Sequence, residues 1–104
     1  MSYGFPAYHS EVYSAGTGKY TDLRAAVKAT LAAVSWSTKE ETGAHILAAT
    51  RMGLRSWGER VLIDFLPDNS IRVTSKCVFP LQVVDWGKNK ANVARFIAEI
   101  GKHV

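Results

Sequence analysis

The stretch VLIDFLPDNSIRVTSKCV, residues 61–78, decides the fold, because two runs of alternating apolar and polar residues flank a single turn. Successive side chains of a strand point to opposite faces, so each run predicts a strand with one apolar face. Pro67, Asp68 and Asn69 are residues that preset or tolerate turn angles. We therefore predict an antiparallel hairpin packed on one face only. Its inward positions are Val61, Ile63, Phe65, Ile71, Val73, Ser75 and Cys77.

On both sides of this hairpin the apolar period changes to three and four residues, which is typical of a helix. Residues 21–35, TDLRAAVKATLAAVS, carry one such stripe, and residues 92–104, NVARFIAEIGKHV, carry another. Thr21 is the predicted N-cap of the first helix, and Asp22 suits its positive end. The two stripes consist of Leu23, Ala26, Val27, Thr30, Leu31 and Val34, and of Val93, Phe96, Ile97 and Ile100.

The remaining segments complete the predicted order (β)αβββα. Residues 44–51 are a predicted strand that follows the Gly43 break, whereas the polar run before Gly43 is typical of a turn. Residues 9–14 suit a short edge strand. Strands grouped between helices indicate an α+β fold, with a two-layer arrangement of a three- or four-stranded antiparallel sheet and both helices on one face. We expect a single domain over residues 1–104, in which residues 1–20 form a loosely ordered lead-in or the edge strand.

Composition limits the classes of function. Thirteen Lys and Arg against nine Asp and Glu leave a formal charge of +4, which favours anionic partners. A single cysteine, Cys77, excludes an internal disulfide and a cysteine-based zinc site, and its place in an alternating run predicts a buried thiol. The sequence shows neither a secretory signal nor an apolar run long enough to cross a bilayer. We therefore expect a cytoplasmic protein without membrane partners.

Two segments that share a Trp-Gly pair are the candidate site: MGLRSWGER, residues 52–60, and FPLQVVDWGKN, residues 79–89. One interpretation is structural: Asn89 or Asp85 caps the last helix, while Trp86 covers an edge of the core. The other is a binding site, in which arginines and the helix start surround an anion and the indoles offer stacking surfaces. The ligand-binding residues of this second hypothesis are Arg51, Arg55, Trp57, Asp85, Trp86, Lys88 and Asn89.

Catalytic and metal-binding patterns are not found in the sequence. The histidines are far apart, no acid pair or serine–base pair is evident, and no metal-ligand spacing or cofactor motif occurs. We therefore expect a non-catalytic binding or interaction module without a cofactor, which recognises an anionic small molecule or an acidic protein partner. The alternatives are a nucleic-acid-binding module and a small enzyme. An outward-facing Leu62 also suggests a homodimer.

About two-thirds of the chain resembles a small bacterial domain family of unknown function. The resemblance rests on Trp36 after the first helix, on the hairpin, and on Asp85, Gly87 and Asn89 as an Asp-x-Gly-x-Asn entry to the final helix. Residues 1–20 lie outside it. The resemblance implies the same α+β order and no particular activity.

Overall fold

A computed structural model describes residues 8–15, 22–50, 59–77 and 88–103 of the chain. Within these ranges the two helices are α1 (Leu23–Ala33) and α2 (Lys88–Ile100). The five strands are β1 (Tyr8–Ser14), β2 (Ser37–Glu41), β3 (His45–Ala49), β4 (Glu59–Leu66) and β5 (Ser70–Cys77). None of the described helices is long and apolar enough to span a membrane.

The strands form one antiparallel sheet in the order β1-β5-β4-β3-β2. The predicted hairpin is confirmed: β4 and β5 pair without interruption from Glu59 opposite Cys77 to Leu66 opposite Ser70. Its turn holds Asp68 and Asn69 at φ 62° and 57°, a left-handed conformation that Asp and Asn tolerate better than most residues. This long hairpin is the centre of the sheet, and it brings the start of β4 beside the end of β5.

Both helices cover the same face of the sheet, which confirms the α+β prediction. The inward residues of β3, β4 and β5 and the apolar stripes of α1 and α2 belong to one buried cluster. Its fully buried side chains include Val27, Ile63, Val73 and Phe96. Removal of this apolar surface from water is the main favourable contribution to folding.

The sheet has five strands rather than three or four, because Ser37–Glu41 forms β2 where the sequence predicted a turn. Every residue of β2 is exposed, and a register shift between Thr38 and Glu40 interrupts its pairing with β3. An edge strand with polar residues on both faces has no apolar alternation, so periodicity does not reveal it. The predicted edge strand near the N-terminus is present as β1.

The ends of α1 are set by local hydrogen bonds. Asp22, not Thr21, is the N-cap, since its Oδ1 accepts a hydrogen bond from the backbone N–H of Ala25 at 3.1 Å. At the other end Ser35 takes φ 62°, and the N–H of Trp36 donates to the carbonyl of Leu31 at 3.0 Å. This is the Schellman arrangement, which ends a helix and turns the chain sharply. It directs Trp36 into the core, where the indole stacks on Phe96 with 6.2 Å between ring centroids.

Candidate functional site

The described residues that border the two Trp-Gly segments lie at one end of the sheet. Thr50 precedes residues 51–58 and Glu59 follows them, while Cys77 precedes residues 78–87. Glu59 is paired directly with Cys77 across β4 and β5. We call this edge, formed by Thr50, Glu59 and Cys77, the Thr50 end of the sheet. The described residues that flank both segments thus lie at the ends of neighbouring strands, as predicted.

Thr50 and Glu59 close the base of the first segment with backbone and side-chain bonds. The N–H of Thr50 donates to the carbonyl of Glu59 at 3.0 Å. In return the N–H of Glu59 donates to the hydroxyl of Thr50 at 2.8 Å, and that hydroxyl lies 3.2 Å from Glu59 Oε1. The two chain ends of residues 51–58 are therefore held together at a fixed separation.

A second set of bonds attaches α2 to this base. Asn92 donates through Nδ2 to Glu59 Oε1 at 2.8 Å and to Ser75 Oγ at 3.2 Å. The hydroxyl of Ser75 donates in turn to Asn89 Oδ1 at 2.8 Å. We call Thr50, Glu59, Ser75, Asn89 and Asn92 the polar network. It connects the end of β3, the start of β4, β5 and the first turns of α2.

Three members of the polar network are buried and two, Thr50 and Asn92, are half-buried. Glu59 is 3% exposed, and Ser75 and Asn89 are 0% exposed. Among the described residues, no buried side-chain nitrogen or oxygen is without a hydrogen-bond partner. Buried polar groups whose bonds are all made hold one arrangement firmly, because any displacement leaves a group unpaired in a medium of low dielectric constant. The network thus holds the starting points of both Trp-Gly segments in one arrangement.

The network is suited to positioning rather than to nucleophilic chemistry. The proton of Ser75 is donated to an amide oxygen, not to a base, and its oxygen accepts a bond from Asn92. A serine nucleophile requires a neighbouring general base that can remove this proton. The described contacts of Ser75 provide none.

Of the seven residues in the predicted binding site, Asn89 alone has a described side chain. It lies in the first turn of α2, and its Oδ1 accepts the bond from buried Ser75. Lys88 is the first residue of α2, and its side chain lies outside the described part of the structure. The other five lie outside the described residues altogether: Arg51, Arg55, Trp57, Asp85 and Trp86. The side chain of Cys77, predicted to be buried, also lies outside them.

Sequence reasoning missed the other four members of the network, although Ser75, Glu59 and Asn92 left a signal in their spacing. Ser75 occupies an inward position of β5, where its neighbours Ile71 and Val73 are apolar, and Glu59 extends the inward row of β4. Asn92 precedes Val93 and lies one turn after Asn89, so two polar residues border the apolar stripe of α2. Polar residues at positions that periodicity assigns to the core indicate a buried hydrogen-bond network.

The three histidines form ion pairs or hydrogen bonds with glutamates near the surface. Each histidine contacts one glutamate through Nε2, with distances of 2.8 Å for His9–Glu11, 2.7 Å for His45–Glu40 and 3.1 Å for His103–Glu99. The bond from His103 is the main cause that lowers the pKa of Glu99. In the described ranges no three His, Cys, Asp or Glu side chains lie close enough to hold a metal ion.

At the opposite end of the sheet Arg24 ties α1 to β2. Its guanidinium donates to Glu41 at 2.7 Å and to the carbonyls of Thr42 and Gly43, and it lies 4.4 Å from the ring centroid of Phe65. This cluster stabilises the joint between α1 and the edge strand β2.

Comparison of the sequence with protein-family models and with curated proteins finds no match. The resemblance to a bacterial domain family therefore stays a prediction, and the functional argument rests on the geometry.

Proposed function

We propose that the protein is a non-catalytic binding module that recognises an anionic small molecule or an acidic protein partner at the Thr50 end of the sheet. The observation that supports this is the polar network, which holds the bases of both Trp-Gly segments together. Binding loops work best when a rigid scaffold positions their ends, because less conformational freedom is then lost on binding.

The residue types of the two segments agree with an anionic ligand. Residues 51–60 contain Arg51, Arg55 and one acid, Glu59, whose carboxylate is bonded within the polar network, while residues 79–89 contain one acid, Asp85. Lys88 adds a further basic residue where α2 starts. Guanidinium groups bind carboxylates and phosphates through two parallel hydrogen bonds. In this proposal the arginines supply the charge and Trp57 and Trp86 supply the surface.

Intrinsic fluorescence offers a direct test, because Trp57 and Trp86 belong to the two segments, while the third tryptophan, Trp36, is buried against Phe96. The probes are inorganic pyrophosphate and a peptide of three Glu-Ser-Leu-Ser repeats, each titrated at about 20 mM salt, where surface charges are weakly screened. We expect a saturable change with at least one probe.

The test variant is Arg51→Gln with Arg55→Gln, and the control is Lys39→Gln with Arg95→Gln. Both pairs remove two positive charges, but Lys39 on β2 and Arg95 on α2 are exposed and do not belong to the two segments. We expect about a tenfold or larger loss of affinity in the test variant and less than about twofold in the control. Equal losses in both variants, or no saturable change with either probe, would refute the proposal.

A further inference from the structure

The face of the sheet opposite the helices carries a basic pair, Arg60 and Lys76. Glu59, Val61 and Ser75 point toward the helices and are buried, so their neighbours Arg60 and Lys76 point to the other face. Arg60 is half-buried and Lys76 is exposed. They are directly opposite each other in the register of β4 and β5, in the row next to the Thr50 end.

Two positive charges in directly opposite positions of a sheet repel each other and destabilise the strand pair. Within the described part of the chain neither Arg60 nor Lys76 forms an ion pair. Arg72, four residues before Lys76 on the same face, is by contrast opposite Asp64. Among the described residues of β4 and β5, the unpaired charge of this face is therefore concentrated in the row next to the Thr50 end.

The next row on the same face consists of Leu47 and Leu62 on β3 and β4, and of Thr74 and Ser10 on β5 and β1. Leu62 and Leu47 are directly opposite each other in β4 and β3, and both are half-buried. The row lies two residues along the strands from Arg60, a distance of about 7 Å. Tyr8 of β1 is directly opposite Lys76 in the register, and the Leu47–Leu62 pair in the next row offers apolar contact to a peptide side chain.

We propose that an acidic, amphipathic segment of a partner protein docks on this face, with its carboxylates at Arg60 and Lys76 and its apolar side chains on Leu47 and Leu62. An extended segment with the pattern Glu-x-Leu places the two groups about 7 Å apart on one face, which matches the spacing of the two rows. The proposal rests on the proposed function, since it selects the acidic protein partner and extends its contact area from the Thr50 end.

The test compares the double variant Arg60→Gln with Lys76→Gln and the control Lys39→Gln with Arg95→Gln. A fluorescein-labelled peptide of three Glu-Ser-Leu-Ser repeats is titrated at about 20 and 300 mM salt, and anisotropy is measured. We expect the test variant to bind about tenfold more weakly at low salt, with a smaller difference at high salt, because salt screens exposed charges. A matching peptide with Gln in place of Glu is expected to show no difference between the variants.

Thermal denaturation tests whether the variant is folded. Its midpoint is expected to equal or exceed that of the parent, because the repulsion between the two charges is removed. Backbone amide chemical shifts map the contact. Changes at residues of β4 and β5 support the docking face, whereas changes confined to α1 and α2 overturn it. Equal affinity losses in test and control variants also overturn it.

A twelve-residue oligothymidylate distinguishes a nucleic-acid interface from a protein-binding one. If it binds more tightly than the acidic peptide, and loses affinity with a steep dependence on salt, the proposed partner class is wrong. The two proposals can be told apart: if only the variant Arg51→Gln with Arg55→Gln loses binding, the docking face is refuted and the proposed function stands.

Discussion

Replacement of Asn92 by alanine tests the claim that the polar network holds the Thr50 end together. The substitution removes two hydrogen bonds at once, from Nδ2 to Glu59 Oε1 at 2.8 Å and to Ser75 Oγ at 3.2 Å. Glu59 keeps the contact with Thr50, and Ser75 still donates to Asn89. Glu59 and Ser75 thus each lose one hydrogen bond and keep another.

The magnitude follows from burial. Withdrawing a partner from a buried acceptor costs about 1–3 kcal/mol, and the values here lie near the lower end because both acceptors keep other bonds. The loss of one bond at each of the two acceptors therefore lowers the free energy of unfolding by about 2–3 kcal/mol in total. Alanine is a better helix former than asparagine by about 0.5 kcal/mol, which offsets part of this loss. We therefore expect Asn92→Ala to lower the free energy of unfolding by about 2 kcal/mol.

Urea denaturation followed by circular dichroism measures this change, and a thermal scan should show a midpoint lower by about 8–16 °C for a domain of this size. Lys90→Ala is the control, since Lys90 is exposed on the same helix and its replacement is expected to change the free energy by less than about 0.5 kcal/mol. If Asn92→Ala is as stable as Lys90→Ala, the hydrogen bonds of Asn92 do not stabilise the fold as proposed.

Three further outcomes test other parts of the fold. Ser35→Gly is expected to stabilise the protein by about 0.5–1 kcal/mol in urea denaturation, because glycine adopts the left-handed conformation at φ 62° without a Cβ clash; a loss of stability would contradict this account of the helix end. Phe96→Ala is expected to cost about 3–5 kcal/mol, since the ring is fully buried, and a cost below about 1 kcal/mol would place it outside the core. The pKa of Glu41 lies below its ordinary value because its carboxylate accepts hydrogen bonds from Lys28, which has the larger effect, and from Arg24. The stability that the Glu41 carboxylate contributes is present above about pH 4.5 and is lost as the pH falls through its folded-state pKa. The free energy of unfolding, measured from about pH 2.5 to 6, should therefore fall less steeply with decreasing pH in Glu41→Gln than in the parent.

The elements with a strong apolar period were predictable from residue order alone. The hairpin of residues 61–77 and the stripes of both helices are buried as the alternation and the helical spacing predict. The reason is physical: burial of apolar surface dominates folding, and its pattern repeats every two residues in a strand and every three to four in a helix. The same pattern also indicated which face of the hairpin is covered.

The extra strand β2 and the polar network were decided by tertiary structure. Ser37–Glu41 became a strand because β3 offered a free edge, not because its own residues alternate. Thr50, Ser75 and Asn92 are 17 or more residues apart along the chain and meet only when β4 and β5 pair in register and α2 lies across them. Hydrogen bonds are directional and short, so which polar residues become partners depends on this register, and no local period encodes it.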